Sequence, residues 1–422
     1  MTLFRGARRG ASVGKFPSWN VSSHLNARRY SPIYVSPTLS RSNQLLINNC
    51  SLFHGIAYIM LLTQQNRYLF ANRITSRVLP LFVSPHSRCT HSAPRRPYKI
   101  EIGVSFAGKP ALDAQQLPKK KTIAFSRDHP IAQWRNSLIR WENKKLRSSS
   151  AGEDFFYVAQ SINNSGVSLG IADGVGGWSE DGVDPSLFSQ ALMYYASKHA
   201  SSSWAGEPDF DPIEGTSPPG KNDKYLSPVE IMSMAYEDVL NEPSVECGSS
   251  TACIVNIDAQ SGKLLAANLG DSSFSILRSS SIFHEQKPQT HYFNCPRQLA
   301  KLLPTQRPHL RITDRPEHAD TFSTQLRHED LIILSTDGLG DNVHPGEILA
   351  LASILRRGTA DQPAVNFAQV FADKLVEYAV GCMFAYDKIS PFELSARDEG
   401  FKHIGGKIDD VTIVTARIIE NI

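Results

Sequence analysis

From residue 153 onward the chain alternates short apolar runs with turns rich in Gly, Asn and Asp. Phe155–Gln160 and Val167–Ala172 read as strands joined by the turn Asn163-Asn164-Ser165-Gly166. The second strand runs straight into Asp173-Gly174, so the hairpin sets Glu153-Asp154 alongside Asp173. Thr251–Asp258, Lys263–Leu269 and Ser272–Arg278 follow as strands of an antiparallel meander. Leu331–Ser335 is an apolar strand ending at Thr336-Asp337-Gly338-Leu339-Gly340-Asp341, and Asp409-Asp410-Val411-Thr412 leads into a last strand, Ile413–Ile418. Helices have a different rhythm and their own start signals. Asp184-Pro185 supplies a cap and a first-turn proline for a helix to about His199. Residues 202–227 read as a loop, after which Ser227-Pro228 opens a helix with Val229, Met232, Ala235 and Val239 on one face. Two more helices are predicted over Gly346–Arg356 and Val365–Val380. Strands at both ends with helices between them predict an α+β fold, a central antiparallel β-sandwich flanked by α-helices, and not a parallel βαβ sheet. At 41% apolar, the chain can bury a sizeable core.

The charge pattern divides the chain. Residues 1–100 hold fourteen of the 44 Lys and Arg and no Asp or Glu, so the remainder sets 30 basic against 41 acidic residues, about −11. Arg5, Arg8, Arg9, Lys15, Arg28 and Arg29, interspersed with Ser and apolar residues, have the composition of a mitochondrial transit peptide; the other reading is a disordered basic tail, or one that touches nucleic acid or anionic lipid. Leu45–Leu62 approaches the length that spans a bilayer but is interrupted by Asn48, Asn49 and His54. Two readings stay open for it, a membrane anchor or an apolar stretch of the presequence. Pro and basic residues mark a linker over 96–121. The expected order is thus a mitochondrial targeting segment over 1–95 with the anchor candidate at 45–62, the linker, and a catalytic domain over 122–422. The acidic body excludes a nucleic-acid binder, whose affinity rests on many Lys/Arg–phosphate contacts. Six cysteines without a C-x-x-C pair point to reduced thiols, not a zinc ribbon or a disulfide framework.

The acids carry the chemistry. Glu153-Asp154, Asp173-Gly174, Asp337-Gly338 and Asp409-Asp410 all stand at strand ends or turns. Hard divalent cations prefer carboxylate, carbonyl and water oxygens, and a glycine lets a backbone carbonyl come close. One Asp-Gly turn says little; four acid-bearing strand ends in a fixed order say much more. The thirteen histidines form no zinc-binding pattern, and Ser249, Ser250 and Thr251 lack the elbow of a nucleophilic serine.

Asp173-Gly174-Val175-Gly176-Gly177, Gly248-Ser249-Ser250-Thr251-Ala252, Asn268-Leu269-Gly270-Asp271-Ser272, Ser335 to Asp341 and Asp409-Asp410-Val411-Thr412 resemble, in order, the motif set of type 2C (PPM) metal-dependent protein serine/threonine phosphatases. Asp173–Trp178, Gly182-Val183-Asp184-Pro185-Ser186 and His291-Tyr292-Phe293-Asn294-Cys295-Pro296 resemble the mitochondrial branch linked to coenzyme Q biosynthesis. The resemblance implies a dinuclear Mn²⁺ or Mg²⁺ centre at one edge of the sandwich. Asp173 would bridge both ions, Asp337 and Asp409 complete the shell of one, and Glu153 and the Gly174 carbonyl serve the other. Asp271 and Asp341 match the positions of a weaker third ion. Asp154 and Asp410 share the doublets, and spacing does not say which acid of each pair faces the metal. The implied reaction is attack of a metal-activated water on phosphoserine or phosphothreonine, with no phosphoenzyme. The implied partners are phosphorylated mitochondrial proteins, among them proteins of coenzyme Q biosynthesis. Two positions depart from the pattern. Val175 stands where many relatives have His, and Ser149 where many have a phosphate-binding Arg, with Arg147 two residues earlier. They leave an alternative open, a catalytically weak or inactive relative that binds phosphoproteins as a scaffold.

Overall fold

A computed structural model of the chain describes residues 97–110, 124–142, 150–206, 224–305, 312–362 and 364–421. Every described residue belongs to one compact unit, Leu81–Ile422. The targeting segment 1–95, with its apolar stretch 45–62, and the positions Arg147 and Ser149 lie outside the described residues. Among the described residues no helix is long and apolar enough to cross a membrane.

In chain order the unit runs β1 (Tyr98–Ala107), α1 (Pro130–Glu142), β2 (Asp154–Gln160), β3 (Gly166–Asp173), α2 (Ser186–Ser201), α3 (Pro228–Asn241), β4 (Gly248–Ser250), β5 (Ala252–Asp258), β6 (Lys263–Leu269), β7 (Ser273–Arg278) and β8 (Ser281–Glu285). It continues with β9 (Thr290–Tyr292), β10 (Cys295–Pro296), β11 (Leu299–Lys301), β12 (Asp320–Gln325), β13 (Leu331–Ser335), the single turn α4 (Asp337–Gly340), α5 (Pro345–Thr359), α6 (Phe367–Met383), α7 (Pro391–Asp398) and β14 (Val411–Glu420). One five-stranded sheet has the order β1-β14-β13-β7-β8 and the other β12-β6-β5-β3-β2. Every pairing within them is antiparallel. This is the expected α+β sandwich.

The two sheets meet through one apolar layer that includes Phe106, Phe156, Leu169, Ile171, Val255, Phe274, Ile332 and Val414. The rings of Phe106 and Phe156 pack with centroids 5.7 Å apart. A second layer joins the outer face of the β2–β3 sheet to α2 and α3 through Phe155, Tyr157, Phe188, Leu192, Ile231 and Met232. In α3, Ser227 caps the Glu230 N–H while Glu230 returns to the Ser227 N–H, so the sequence signal S-P-x-E becomes a reciprocal capping box. Ile231, Met232, Ala235 and Val239 are its buried face, whereas Val229 is only half-buried.

Residues 98–107, read from composition as linker, form a ten-residue edge strand paired along its length with β14. Its alternate side chains Tyr98, Ile100, Ile102, Val104 and Phe106 pack into the inter-sheet layer. Helix α6 covers the free edge: Gln369 Oε1 accepts from the Val104 N–H at 3.1 Å, and Gln369 Nε2 donates to the Val104 carbonyl at 2.7 Å. The unpaired N–H and C=O of Val104 on that edge are thereby satisfied. Helices α1 and α7 were not expected from sequence. Helix α2 starts one residue later than its signal, because the Asp184 carboxylate accepts from the N–H and hydroxyl of Ser186. The predicted loop 202–227 is pinned at its ends by a bridge between Trp204 and Tyr225.

A chain starting at residue 122 loses β1 and exposes β14. It should lose the cooperative thermal transition that a chain starting at residue 97 keeps. Circular dichroism melting compares the two, and superimposable curves would show that β1 is dispensable.

Candidate metal centre

The acids named from sequence converge at one end of the sandwich: Glu153-Asp154 and Asp409-Asp410 stand where β2 and β14 begin, Asp173, Asp271 and Asp337 where β3, β6 and β13 end, and Asp341 follows the turn α4. Asp154 and Asp173 face each other in register at the open end of the β2–β3 hairpin. Thr251 fixes Asp173 from the neighbouring strand: its hydroxyl accepts from the Asp173 N–H at 3.0 Å, and its own N–H donates to the Asp173 carbonyl at 3.0 Å. At Gly174 a Cβ would lie 2.6 Å from the Pro185 carbonyl oxygen and 2.9 Å from that of Glu153, so only glycine lets the chain turn there. At Gly338 a Cβ would lie 2.0 Å from the Asp410 carbonyl oxygen. The bare Cα allows the turn carrying Asp337 to press against the strand end carrying Asp409 and Asp410.

The doublets split into an outward and an inward acid. Asp410 faces inward, with one carboxylate oxygen accepting the Lys109 N–H at 2.6 Å and the other the Glu153 N–H at 2.8 Å. Asp154 is also buried and accepts from the Thr336 hydroxyl at 2.8 Å, while that hydroxyl oxygen accepts from the Thr412 N–H. Glu153 and Asp409 point outward, and their side chains are one-fifth exposed. Asp154 and Asp410 therefore brace the strand ends while Glu153 and Asp409 present their carboxylates outward.

Two lysines that the sequence reading did not single out stand among the acids. Lys407 Nζ lies 2.5 Å from Asp337, 2.7 Å from Asp341 and 3.1 Å from Asp409. Lys109 Nζ lies 2.7 Å from Glu153 and 3.5 Å from both Asp409 and Asp410. The one signal for Lys407 was its place two residues before Asp409 in an otherwise glycine-rich turn; Lys109 lay hidden in the supposed linker. As the side chains stand, no three acids or imidazoles among the described residues close on one point where an ion could sit. The two ammonium groups occupy the centre of the cluster instead.

Crowded carboxylates in a dry site resist ionisation. Burial first, and then the charges of Asp410 and Asp337, raise the Asp154 carboxyl well above its usual range. Burial and the neighbouring Asp154 do the same to Asp173, and burial and Asp337 to Asp271. Glu153 is raised by burial although Lys109 opposes it. Asp341 is pushed up to about 7 by burial and Asp337, with Lys407 pulling the other way. Burial alone would lower the Lys407 amine, but Asp337, Asp341 and Asp409 outweigh it and hold the amine well above the usual lysine range. One carboxylate oxygen each of Asp154, Asp271 and Asp337 is buried without a hydrogen-bond partner. Buried acceptors left over in this way, all hard oxygens, suit a divalent cation.

Below the acids the packing is ordinary. Trp178 is buried and its indole N–H donates to Ser249 Oγ at 2.6 Å, while that hydroxyl donates to Gln298. Thr251 and Ser272 share a hydroxyl contact of 2.7 Å. Val175 holds the position after Asp173-Gly174 and its N–H donates to the Ser249 carbonyl, so no imidazole stands there.

No family profile matches the chain. It is 35% identical over 269 residues to the protein phosphatase PTC7 homolog of Danio rerio, covering 64% of this chain and 82% of that one. Against the protein phosphatase PTC7 homolog of Homo sapiens it is 34% identical over 269 residues, covering 64% and 80%. Among solved structures, the photosystem II phosphatase PBCP superposes with a TM-score of 0.50 at 22% identity, over 76% of this chain and 98% of that one, a likeness of fold.

The raised acids set a pH dependence for the metal-free protein. The native Asp341 keeps its proton up to about 7, whereas the unfolded chain releases it in the ordinary carboxylate range, so between these limits the native state binds more protons. This contribution to stability is full at the acid end and is lost as pH rises through the window. EDTA-treated protein should therefore melt at a lower temperature near pH 8 than near pH 5, and Asp341→Asn should flatten that slope. A slope unchanged in the variant would remove Asp341 as its source.

Proposed function

This chain belongs to the PTC7 protein phosphatases, within the type 2C protein serine/threonine phosphatases, and on that footing we propose that it hydrolyses phosphoserine and phosphothreonine on mitochondrial proteins with two divalent cations, Mn²⁺ or Mg²⁺. The observation that carries the metal reading is the set of buried, partnerless carboxylate oxygens on Asp154, Asp271 and Asp337 at the convergence of the strand ends. Asp173, Asp337, Asp409 and Glu153, with the Gly174 carbonyl, would hold the two ions, and Asp271 and Asp341 a weaker third. Divalent cations bound there supply charge for the phosphoryl oxygens and make water acidic enough to attack at neutral pH.

The chain's own groups do the positioning. Thr251 fixes the backbone of Asp173, and Thr336 holds Asp154 against β14. Asp410 clamps the N–H groups of Lys109 and Glu153, so the outward acids stay within reach of one another. With Val175 after Asp173-Gly174, leaving-group protonation falls to water or to another acid. The mitochondrial part of the proposal rests on the acid-free, arginine-rich first hundred residues. Substrates among the proteins of coenzyme Q biosynthesis rest on the resemblance at 182–186 and 291–296.

Phosphate release from a phosphothreonine peptide should require Mn²⁺ or Mg²⁺ and stop with EDTA. Asp173→Asn and Asp337→Asn should each lower kcat/KM at least a hundredfold, about 2.7 kcal/mol of lost transition-state stabilisation. A folded wild-type protein inactive with every divalent cation would favour the phosphoprotein-binding scaffold. For location, residues 1–95 fused to a fluorescent protein should direct it to mitochondria, where a diffuse signal would refute targeting. Alkaline carbonate extraction of the full chain decides between anchor and presequence for 45–62.

A further inference from the structure

Eight carboxylates (Glu153, Asp154, Asp173, Asp271, Asp337, Asp341, Asp409 and Asp410) share one end of the sandwich with two ammonium groups. If all ionise, the site carries six net negative charges. Lys407 is the more deeply placed lysine, its side chain 16% exposed against 37% for Lys109. Its ammonium contacts Asp337 and Asp409, the same two acids assigned above to one ion, and Asp341, assigned to the weaker third.

Its place is built from the backbone outward. The side-chain amide of Asn342, fully buried, accepts from the Lys407 N–H at 2.9 Å and donates to the Lys407 carbonyl at 2.9 Å. The same Asn342 nitrogen donates to the Gly338 carbonyl at 3.0 Å, which ties Lys407 to the turn that carries Asp337. The Lys407 ammonium lies 5.2 Å from the centre of the Phe392 ring, an aromatic face that favours a cation. A surface lysine that meets an acid by chance has no such fixture.

We infer that Lys407 is a tethered competitor of the divalent cation: its ammonium holds Asp337, Asp341 and Asp409 together in the metal-free protein and must leave them when metal loads. The inference rests on the metal reading above. Two like-signed ions cannot share these carboxylates at contact distance without large repulsion, so loading breaks the contacts of 2.5, 2.7 and 3.1 Å. The tether keeps the empty site from flying apart and weakens metal affinity by the same amount, because whatever stabilises the empty state opposes filling it. The protein would then load only above a set metal concentration and would reject ions that bind carboxylates weakly.

Two measurements on the full-length protein test this, neither of which reads turnover. Free Mn²⁺ followed by electron paramagnetic resonance during titration gives the affinity. Lys407→Met should bind Mn²⁺ at least tenfold more tightly than wild type, and Lys407→Arg, which keeps the charge, should not. In the wild type, acetylation of Lys407 by a small activated ester, read by peptide mass, should speed up several-fold on adding Mn²⁺ as the ammonium is released; this arm needs no variant to fold. Equal or weaker Mn²⁺ binding by folded Lys407→Met, or acetylation unchanged or slowed by Mn²⁺, would overturn the inference while leaving the metal site standing. A wild type that binds no Mn²⁺ would overturn both.

Discussion

Mutual repulsion among carboxylates gathered at one end of a β-sandwich is the constraint to which the other features answer. Acids from four separate strand ends are desired in one place and electrostatically unwelcome there. The fold meets the conflict in three ways. Backbone N–H groups of Lys109 and Glu153 satisfy Asp410, hydroxyls of Thr336 and Thr251 brace the strand ends, and the ammonium groups of Lys109 and Lys407 supply charge. What is left unsatisfied, the buried oxygens of Asp154, Asp271 and Asp337, is what a cation would bind. The same residues thus describe both how the site survives empty and why it favours being filled.

The sandwich suits this task because its inter-sheet layer is rigid. Phe106, Phe156, Phe274 and their aliphatic neighbours fix the two sheets against each other, so strand ends that belong to different sheets keep their spacing. Asp154 and Asp173 come from one sheet; Asp337 and the 409–410 doublet flank strands of the other. The centre is therefore a seam between sheets. Close-approach glycines, Gly174 and Gly338, let the two sides come near enough to share a cluster.

Much of this was legible in the sequence. Short apolar runs between Gly-, Asn- and Asp-rich turns mark β2, β3, β5, β6 and β13 nearly to the residue, and the hairpin sets the Glu153-Asp154 doublet alongside Asp173. The acids were legible because carboxylates beside glycine at strand ends have few other uses in such numbers. What was missed has physical reasons. In β1 the alternation Tyr98, Ile100, Ile102, Val104, Phe106 is complete, yet prolines and basic residues before and after it outweighed the pattern and made it look like linker. Lys109 was lost with that strand. Lys407 carries no periodic signal at all, since its role depends on tertiary placement by Asn342, which lies 65 residues away. The inward and outward members of each doublet could not be told apart, because adjacent side chains differ only in which neighbours the fold brings to them.

Strand β14 lies between β1 and β13, the first and the next-to-last strands of its sheet in chain order. During vectorial synthesis β1 therefore emerges with no partner and must wait for nearly the whole chain to follow. Asp409 and Asp410 arrive only as β14 does, with Lys407 just ahead of them. A nascent chain that stops short of Lys407 has a split sheet and lacks Asp409, Asp410 and the Lys407 ammonium that meets Asp337 and Asp341. Such long-range closure folds slowly, so the acid cluster is complete only once β14 has paired with both of its neighbours.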